Sequence, residues 1–206
     1  MKLDILNIRY AVTNAVPPEP VSVTYKPTSV FLLLFDKEEK THILAIQKSD
    51  TEGYPWRNQV ALPGGHVDKS DSSAAYAAFR ELEEEVGIPG DQVEFIGSLG
   101  HFPTLNQRDI EAFIGLWNGK GPVRHDPGEI ARVLEVPFEK LVRTHEAKNF
   151  HGRVPDIYDL TYPVQDAVIW GATARILHRF IELLYPVFIN KYPPALTPEG
   201  VQSKAL

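Results

Sequence analysis

The sequence predicts an α+β chain, an α/β/α sandwich in which a mixed β-sheet lies between helices, and three observations predict it. Short, strongly apolar runs at 30–35, 42–47, 92–99, 110–117 and 130–136 have the length and bounding residues of strands. The segment 72–86 instead repeats its apolar residues at helical spacing, and 167–185 is a long stretch rich in Ala, Ile and Leu. Strands, helix, strands and a final helix, in that order, bury their apolar faces most simply as a sheet covered on both sides.

Taken along the chain, Val16-Pro17-Pro18-Glu19-Pro20 reads as extended, because proline fixes its own backbone and disfavours helix in the residue before it. It separates an N-terminal arm, 1–27, from a single-domain core, 28–188. The runs 30–35 and 42–47 bracket Asp36-Lys37-Glu38-Glu39-Lys40, a charged hairpin turn between paired strands. In 72–86, Ala75, Phe79, Leu82 and Val86 fall on one face, and Asp71, Ser72 or Ser73 would cap its start. Loops at 100–108 and 118–128 divide the later strands; 138–144 reads as a helix, 157–162 as a strand and 167–185 as a helix. The tail, 189–206, with Pro193, Pro194 and Pro198, reads as irregular or as a partner-binding arm.

Composition narrows the functional classes. A chain of 206 residues with 43% hydrophobic and 23% charged residues buries a core without staples. The lack of cysteine excludes disulfides, zinc–thiolate sites and cysteine nucleophiles, and fits the cytoplasm. A net charge of -6 gives no global field for nucleic acid, so a small anionic ligand held through metal is the better expectation. No apolar run reaches the length of a membrane span, and the first residues lack the basic start and long apolar stretch of a signal peptide. The two proline-bearing ends are where a homodimer could form.

The chemistry-bearing residues lie in 64–88. On a helix, Glu81, Glu84 and Glu85 fall within about a right angle of one another, while the Ala75/Phe79/Leu82/Val86 stripe lies well around the cylinder. Carboxylates gathered this way repel one another unless they face solvent or share a cation. Oxygen donors alone favour Mg2+ or Mn2+, which bridge to substrate phosphates. Upstream, Gly64 and Gly65 permit a tight turn and a close backbone approach to phosphate or metal. Lys48 and Arg57 are candidate phosphate-binding charges. His101 and His125 read as solvated loop residues.

Together, Gly64-Gly65-His66-Val67-Asp68 through Arg80-Glu81-Leu82-Glu83-Glu84-Glu85-Val86-Gly87-Ile88 resembles the Nudix box, G-x5-E-x7-R-E-U-x-E-E-x-G-U. The second half matches at every fixed position. The first half is one residue longer than usual, and Ser72 stands where the box has its first glutamate. That spacing, with Asp68 and Asp71, is similar to the coenzyme A diphosphatase branch of the superfamily, as are the stretch 58–65 and Val168-Ile169-Trp170-Gly171-Ala172-Thr173-Ala174. The branch's upstream Arg-Ser pair appears only as Lys48-Ser49, with Tyr54 near its second arginine and Asn58 in place of its glycine.

The resemblance, which covers roughly 30–184, implies a Nudix fold and hydrolysis of a diphosphate linkage in a nucleotide-containing small molecule. It implies that Glu84 and Glu85 ligate metal, that Glu81 ligates metal or helps activate water, that Gly65 joins the metal site and that Arg80 orients the glutamates. It also implies a further ligand or general base from a later loop, for which Glu129, ahead of a strand, is the candidate. Coenzyme A or an acyl derivative is one substrate expected from it; ADP-ribose, dinucleotide polyphosphates and nucleotide sugars are others. A non-catalytic binding module of the same fold is a second class, which the intact Arg80, Glu81, Glu84 and Glu85 argue against. A third, isopentenyl diphosphate isomerase, resembles enzymes that rely on a catalytic cysteine, and this chain has none.

Overall fold

The computed structural model describes residues 1–21, 24–53 and 56–191. Helix α1 (Ile5–Thr13) is followed by strands β1 (Lys26–Lys37), β2 (Lys40–Lys48), β3 (Val60–Ala61) and β4 (Gly64–His66). Helix α2 (Ala74–Val86) leads through a single 3-10 turn into β5 (Val93–Pro103), β6 (Arg108–Trp117) and β7 (Ile130–Pro137). Helix α3 (Phe138–Ala147), the hairpin β8 (Tyr162–Val164) and β9 (Ala167–Ile169), and helix α4 (Gly171–Lys191) complete the chain.

The sheet is mixed, as the sequence predicts: β1 runs parallel to β6, and the other pairings are antiparallel. Alternation along β1 explains why it is apolar throughout. Val30, Leu32 and Leu34 enter one core, with Ile43 and Ala45 of β2 and the inner faces of α1, α3 and α4. Phe31, Leu33 and Phe35 enter the other, with Leu44, Ile46 and the Leu82 and Val86 side chains of α2. Glu38 and Glu39, at φ 51° and 55°, make the two-residue turn between β1 and β2 that matches strand twist.

From the turn, strands β1 and β2 pair from Lys37↔Lys40 to Leu33↔Leu44 and then part company. Beyond that point β4 takes the edge of β1, from Thr28↔His66 to Val30↔Gly64, while β3 takes β2 at Ile46↔Ala61 and Gln47↔Val60. The segment carrying Gly64 and Gly65 is thus wedged into the splay between two central strands.

Several elements differ from the sequence reading. The long helix begins at Gly171 rather than 167, because 167–169 is strand β9 and Gly171 itself takes a left-handed φ of 66°. The strand expected at 157–162 is a turn held by the Asp156 carboxylate and carbonyl, and extended pairing starts only at Tyr162. The loop expected at 100–108 shrinks because β5 continues its ladder to Pro103↔Asp109. His101 therefore sits in a strand, its Nδ1 2.9 Å from Asp109 Oδ2. The arm contains α1, capped by Asp4, with Ile8 and Val12 buried in the larger core. The proline segment runs along β5, where the Pro18 carbonyl accepts the His101 N–H at 2.9 Å. Tyr54 and the tail prolines lie outside the described residues.

Candidate active site

Helix α2 sets the site. Ser73 caps it, its side chain accepting the Tyr76 N–H at 3.1 Å, and Gly87 ends it in a left-handed turn. Leu82 and Val86 are fully buried, so the helix cannot roll without leaving the core. Glu85 stands about 60° around the cylinder from Leu82. It is accordingly buried at the helix edge, while Glu84, further round, stays 60% exposed.

Each glutamate has distinct partners. Glu85 Oε1 pairs with Lys48 Nζ at 2.5 Å, and its Oε2 accepts the Gly64 N–H at 2.8 Å. Glu81 lies against Gly65 so closely that a Cβ there would stand 2.4 Å from the Glu81 carboxyl carbon. Gly64 is constrained more severely: at φ 147°, its Cβ would stand 2.1 Å from the Ser29 carbonyl oxygen. Only glycine lets β4 close on β1 and present its backbone to the glutamates.

Arg80 holds the group together. It donates to Asp71 Oδ1 and Oδ2 at 3.1 Å, to Glu81 Oε1 at 3.0 Å, to Glu84 Oε2 at 2.9 Å and to the His66 carbonyl at 3.1 Å. Its partners raise its already high pKa, Asp71 foremost. Asp71, one of three candidate caps in the sequence, instead fixes this guanidinium, which holds the Asp71 carboxyl below its usual value. Asp68 is at the rim, 3.8 Å from Arg80 and 64% exposed. Burial pushes the Glu81 carboxyl above its usual value, opposed by Arg80 and reinforced by Glu85 and Glu84.

Glu81, Glu85, Lys48, Gly64 and Gly65 lie at one end of a cleft of about 710 Å3. The predicted residues do not all gather there. Glu84 meets the group through Arg80. Arg57 is exposed, its Nε 3.7 Å from Asp50, and Glu129 is exposed ahead of β7; neither is among the described residues lining the cleft. His125 is half-buried rather than solvated, and its Nδ1 lacks a partner.

The far wall was not read from the sequence as a site. Arg108, at the start of β6, lies 4.7 Å above the Trp56 ring and its Nη1 reaches the His66 ring nitrogens at 2.8 and 3.0 Å. Burial, and then this guanidinium, hold the His66 imidazole below its usual pKa. Trp170 and Arg175, from the start of α4, complete the wall, with Arg175 donating to the Pro103 carbonyl at 2.8 Å. One signal existed: Trp170-Gly171-Ala172-Thr173, part of the second matching stretch, lines the cleft.

The arrangement fits a hard divalent cation. Glu81, Glu84 and Glu85 offer only oxygen donors, and among the described residues these three carboxylates and Asp71 form ion pairs with two cations, Lys48 and Arg80. The negative surplus is what a divalent ion would neutralise.

Comparison with known proteins identifies the family and the fold. The family model described as "NUDIX domain" matches residues 25–156. The chain is 28% identical over 186 residues to a Nudix hydrolase, NudL, of Photorhabdus laumondii, covering 87% of this chain and 95% of that one. It is 29% identical over 185 residues to Nudix hydrolase 22, chloroplastic, of Arabidopsis thaliana, covering 84% of this chain and 61% of that protein. With Escherichia coli NudL it shares 35% identity over 123 residues, 58% of this chain and 63% of the relative. Among solved structures, a MutT/nudix family protein from Enterococcus faecalis is similar in fold, with a TM-score of 0.53 at 17% identity, covering 88% of this chain and 69% of that one.

Proposed function

Because the chain belongs to the Nudix hydrolase family, we propose that it is a divalent-metal-dependent pyrophosphohydrolase cleaving a nucleoside diphosphate linked to a second moiety. Coenzyme A or an acyl derivative leads the substrates, with ADP-ribose, dinucleotide polyphosphates and nucleotide sugars as the others. The observation that carries the reading is the convergence of Glu81 and Glu85 on Gly64 and Gly65 at one end of a 710 Å3 cleft. No helix among the described residues is long and apolar enough to cross a membrane. The lack of cysteine supports the cytoplasm as its compartment.

Glu81, Glu84, Glu85 and the Gly65 backbone would hold Mg2+ or Mn2+. Bound there, the ion neutralises charge on the diphosphate and lowers the pKa of a coordinated water. Arg80 fixes the Glu81 and Glu84 carboxylates from behind. Burial raises the Glu81 pKa, which strengthens it as a proton acceptor once ionised and suits help in activating water. Trp56 and Trp170 offer apolar faces on which a base can stack, and Arg108 and Arg175 bring positive charge to the same wall.

A screen with Mg2+ and Mn2+ over these four substrate groups, read by chromatography as the two phosphomonoesters that diphosphate hydrolysis leaves, tests the proposal, with Glu84→Gln as the blank. Metal-dependent turnover is expected, reduced at least 100-fold in Glu84→Gln, with little change in thermal midpoint because Glu84 is exposed. Formation of 3',5'-ADP from coenzyme A would fix the substrate. Undiminished activity in the variant would remove Glu84 from the site, and no cleavage of any compound would overturn the enzymatic reading.

A further inference from the structure

A second cluster of ligating groups lies away from the cleft, where α3 ends and α4 passes beneath the 148–153 turn. Three of the seven histidines of the chain meet one carboxylate there. Glu182 Oε1 stands 2.7 Å from His145 Nε2 and 3.0 Å from His151 Nδ1. His178 lies one helical turn before Glu182 on the same face of α4. One ligating atom each from His145, His178 and Glu182 fall within 4.8 Å of one another. None of the four lines the cleft.

We propose that His145, His151, His178 and Glu182 form a second metal site, distinct from the carboxylate centre, that takes Zn2+ as a structural clasp between α3, the 148–153 turn and α4. The donor chemistry differs from that at α2. Three imidazoles and one carboxylate suit a borderline ion in tetrahedral coordination, whereas an all-oxygen set suits Mg2+. In a tetrahedral zinc site, neighbouring ligand atoms stand roughly 3.3 Å apart, as follows from bonds of about 2.0 Å. The two contacts at Glu182 need to open by a few tenths of an ångström to reach that spacing, the His178 atom lies within 4.8 Å of the His145 and Glu182 atoms, and His151 joins the group through Glu182.

The surroundings are also those of a built site. His145 is fully buried, and its other nitrogen, Nδ1, is 3.0 Å from the Tyr162 hydroxyl, the kind of outer contact that orients a ligating imidazole. The Gly152 N–H donates to Glu182 Oε2 at 2.9 Å, turning Oε1 toward the imidazoles. His151 stacks on Tyr185 with centroids 3.5 Å apart, which fixes its ring plane. A plain hydrogen-bond network is the competing explanation; it accounts for His178 by backbone contacts to Phe150, at 3.4 Å from Nε2, and to Arg153, but not for its approach to His145 and Glu182.

The test is Co2+ added to the chelator-treated full chain, followed by visible absorption. Four-coordinate, nitrogen-rich cobalt absorbs strongly, whereas six-coordinate oxygen sites are nearly colourless. We expect one equivalent of strongly absorbing Co2+ in the parent protein and in Glu84→Gln, with the band lost in His178→Ala and weakened in His151→Ala. Zn2+ alone, at about 100 times its dissociation constant, should raise the thermal midpoint by roughly 5–10 °C in the parent and not in His178→Ala. Circular dichroism checks that the variants fold; if His178→Ala does not, the half-exposed His151→Ala carries the comparison. Absence of the band in the parent, or its survival in both histidine variants, would overturn the proposal.

Discussion

At the scale of single residues, the two adjacent glycines do different work, and substitution separates them. A methyl at Gly64 meets backbone at a φ that side chains rarely adopt, so Gly64→Ala should cost about 2–3 kcal/mol in urea denaturation. A methyl at Gly65 meets only the end of the Glu81 side chain, which can swing aside. Gly65→Ala should therefore keep most of its stability and lose turnover, because Glu81 is displaced. Equal loss of stability in both would sink this distinction. The Asp71–Arg80 pair predicts a pH effect of defined sign. The folded carboxyl lies below its unfolded value of about 3.9. Its contribution is present above that pH and disappears as pH falls through the folded value. Asp71→Asn should flatten the acid limb of a melting-temperature profile between pH 5 and 2, and an unchanged limb would show that the pair adds nothing. That Glu81, Glu84 and Glu85 stand near one another on α2 was legible from spacing. Asp71 as the partner of Arg80 was not, because eight residues, the cap and the first turns of α2, separate them.

At the scale of elements, α2 has to serve two masters: its Leu82 and Val86 side belongs to a core, and its Glu81 and Glu84 side belongs to the site. The helical period made both sides readable. Its cap has a measurable consequence: Ser73→Ala should cost about 1 kcal/mol, lowering the melting temperature by about 2–4 °C, with a neutral result assigning the helix start to Asp71 instead. The misread elements fail for local reasons. The 167–169 strand continues into α4 with no polar break, so composition merged the two, and only the left-handed Gly171 divides them. Helix α1 did carry a signal, Asp4 as cap with Ile8 and Val12 four apart, but the proline segment after it reads as the stronger boundary.

At the scale of the whole molecule, the glycine–glutamate part of the cleft was readable because most of it comes from one continuous stretch, 64–85, while the rest of the lining was not. Trp56, Arg108, Trp170 and Arg175 come from a turn, a strand and a helix far apart in sequence, and no spacing rule connects them. The sheet that assembles them hangs on β1, which is held by β6 on one edge and by β4 and then β2 on the other. Its side chains are divided between two cores, so stripping away α2 alone, or α1, α3 and α4 alone, leaves half of them still packed. Neither helical layer can melt and take the strand with it. The amide protons at 31–34 should thus exchange with deuterium only when the entire chain opens, with the same denaturant dependence as global unfolding, and faster exchange there would reveal a partial opening. The strand that seats the two-glycine wedge is also the molecule's clock for complete unfolding.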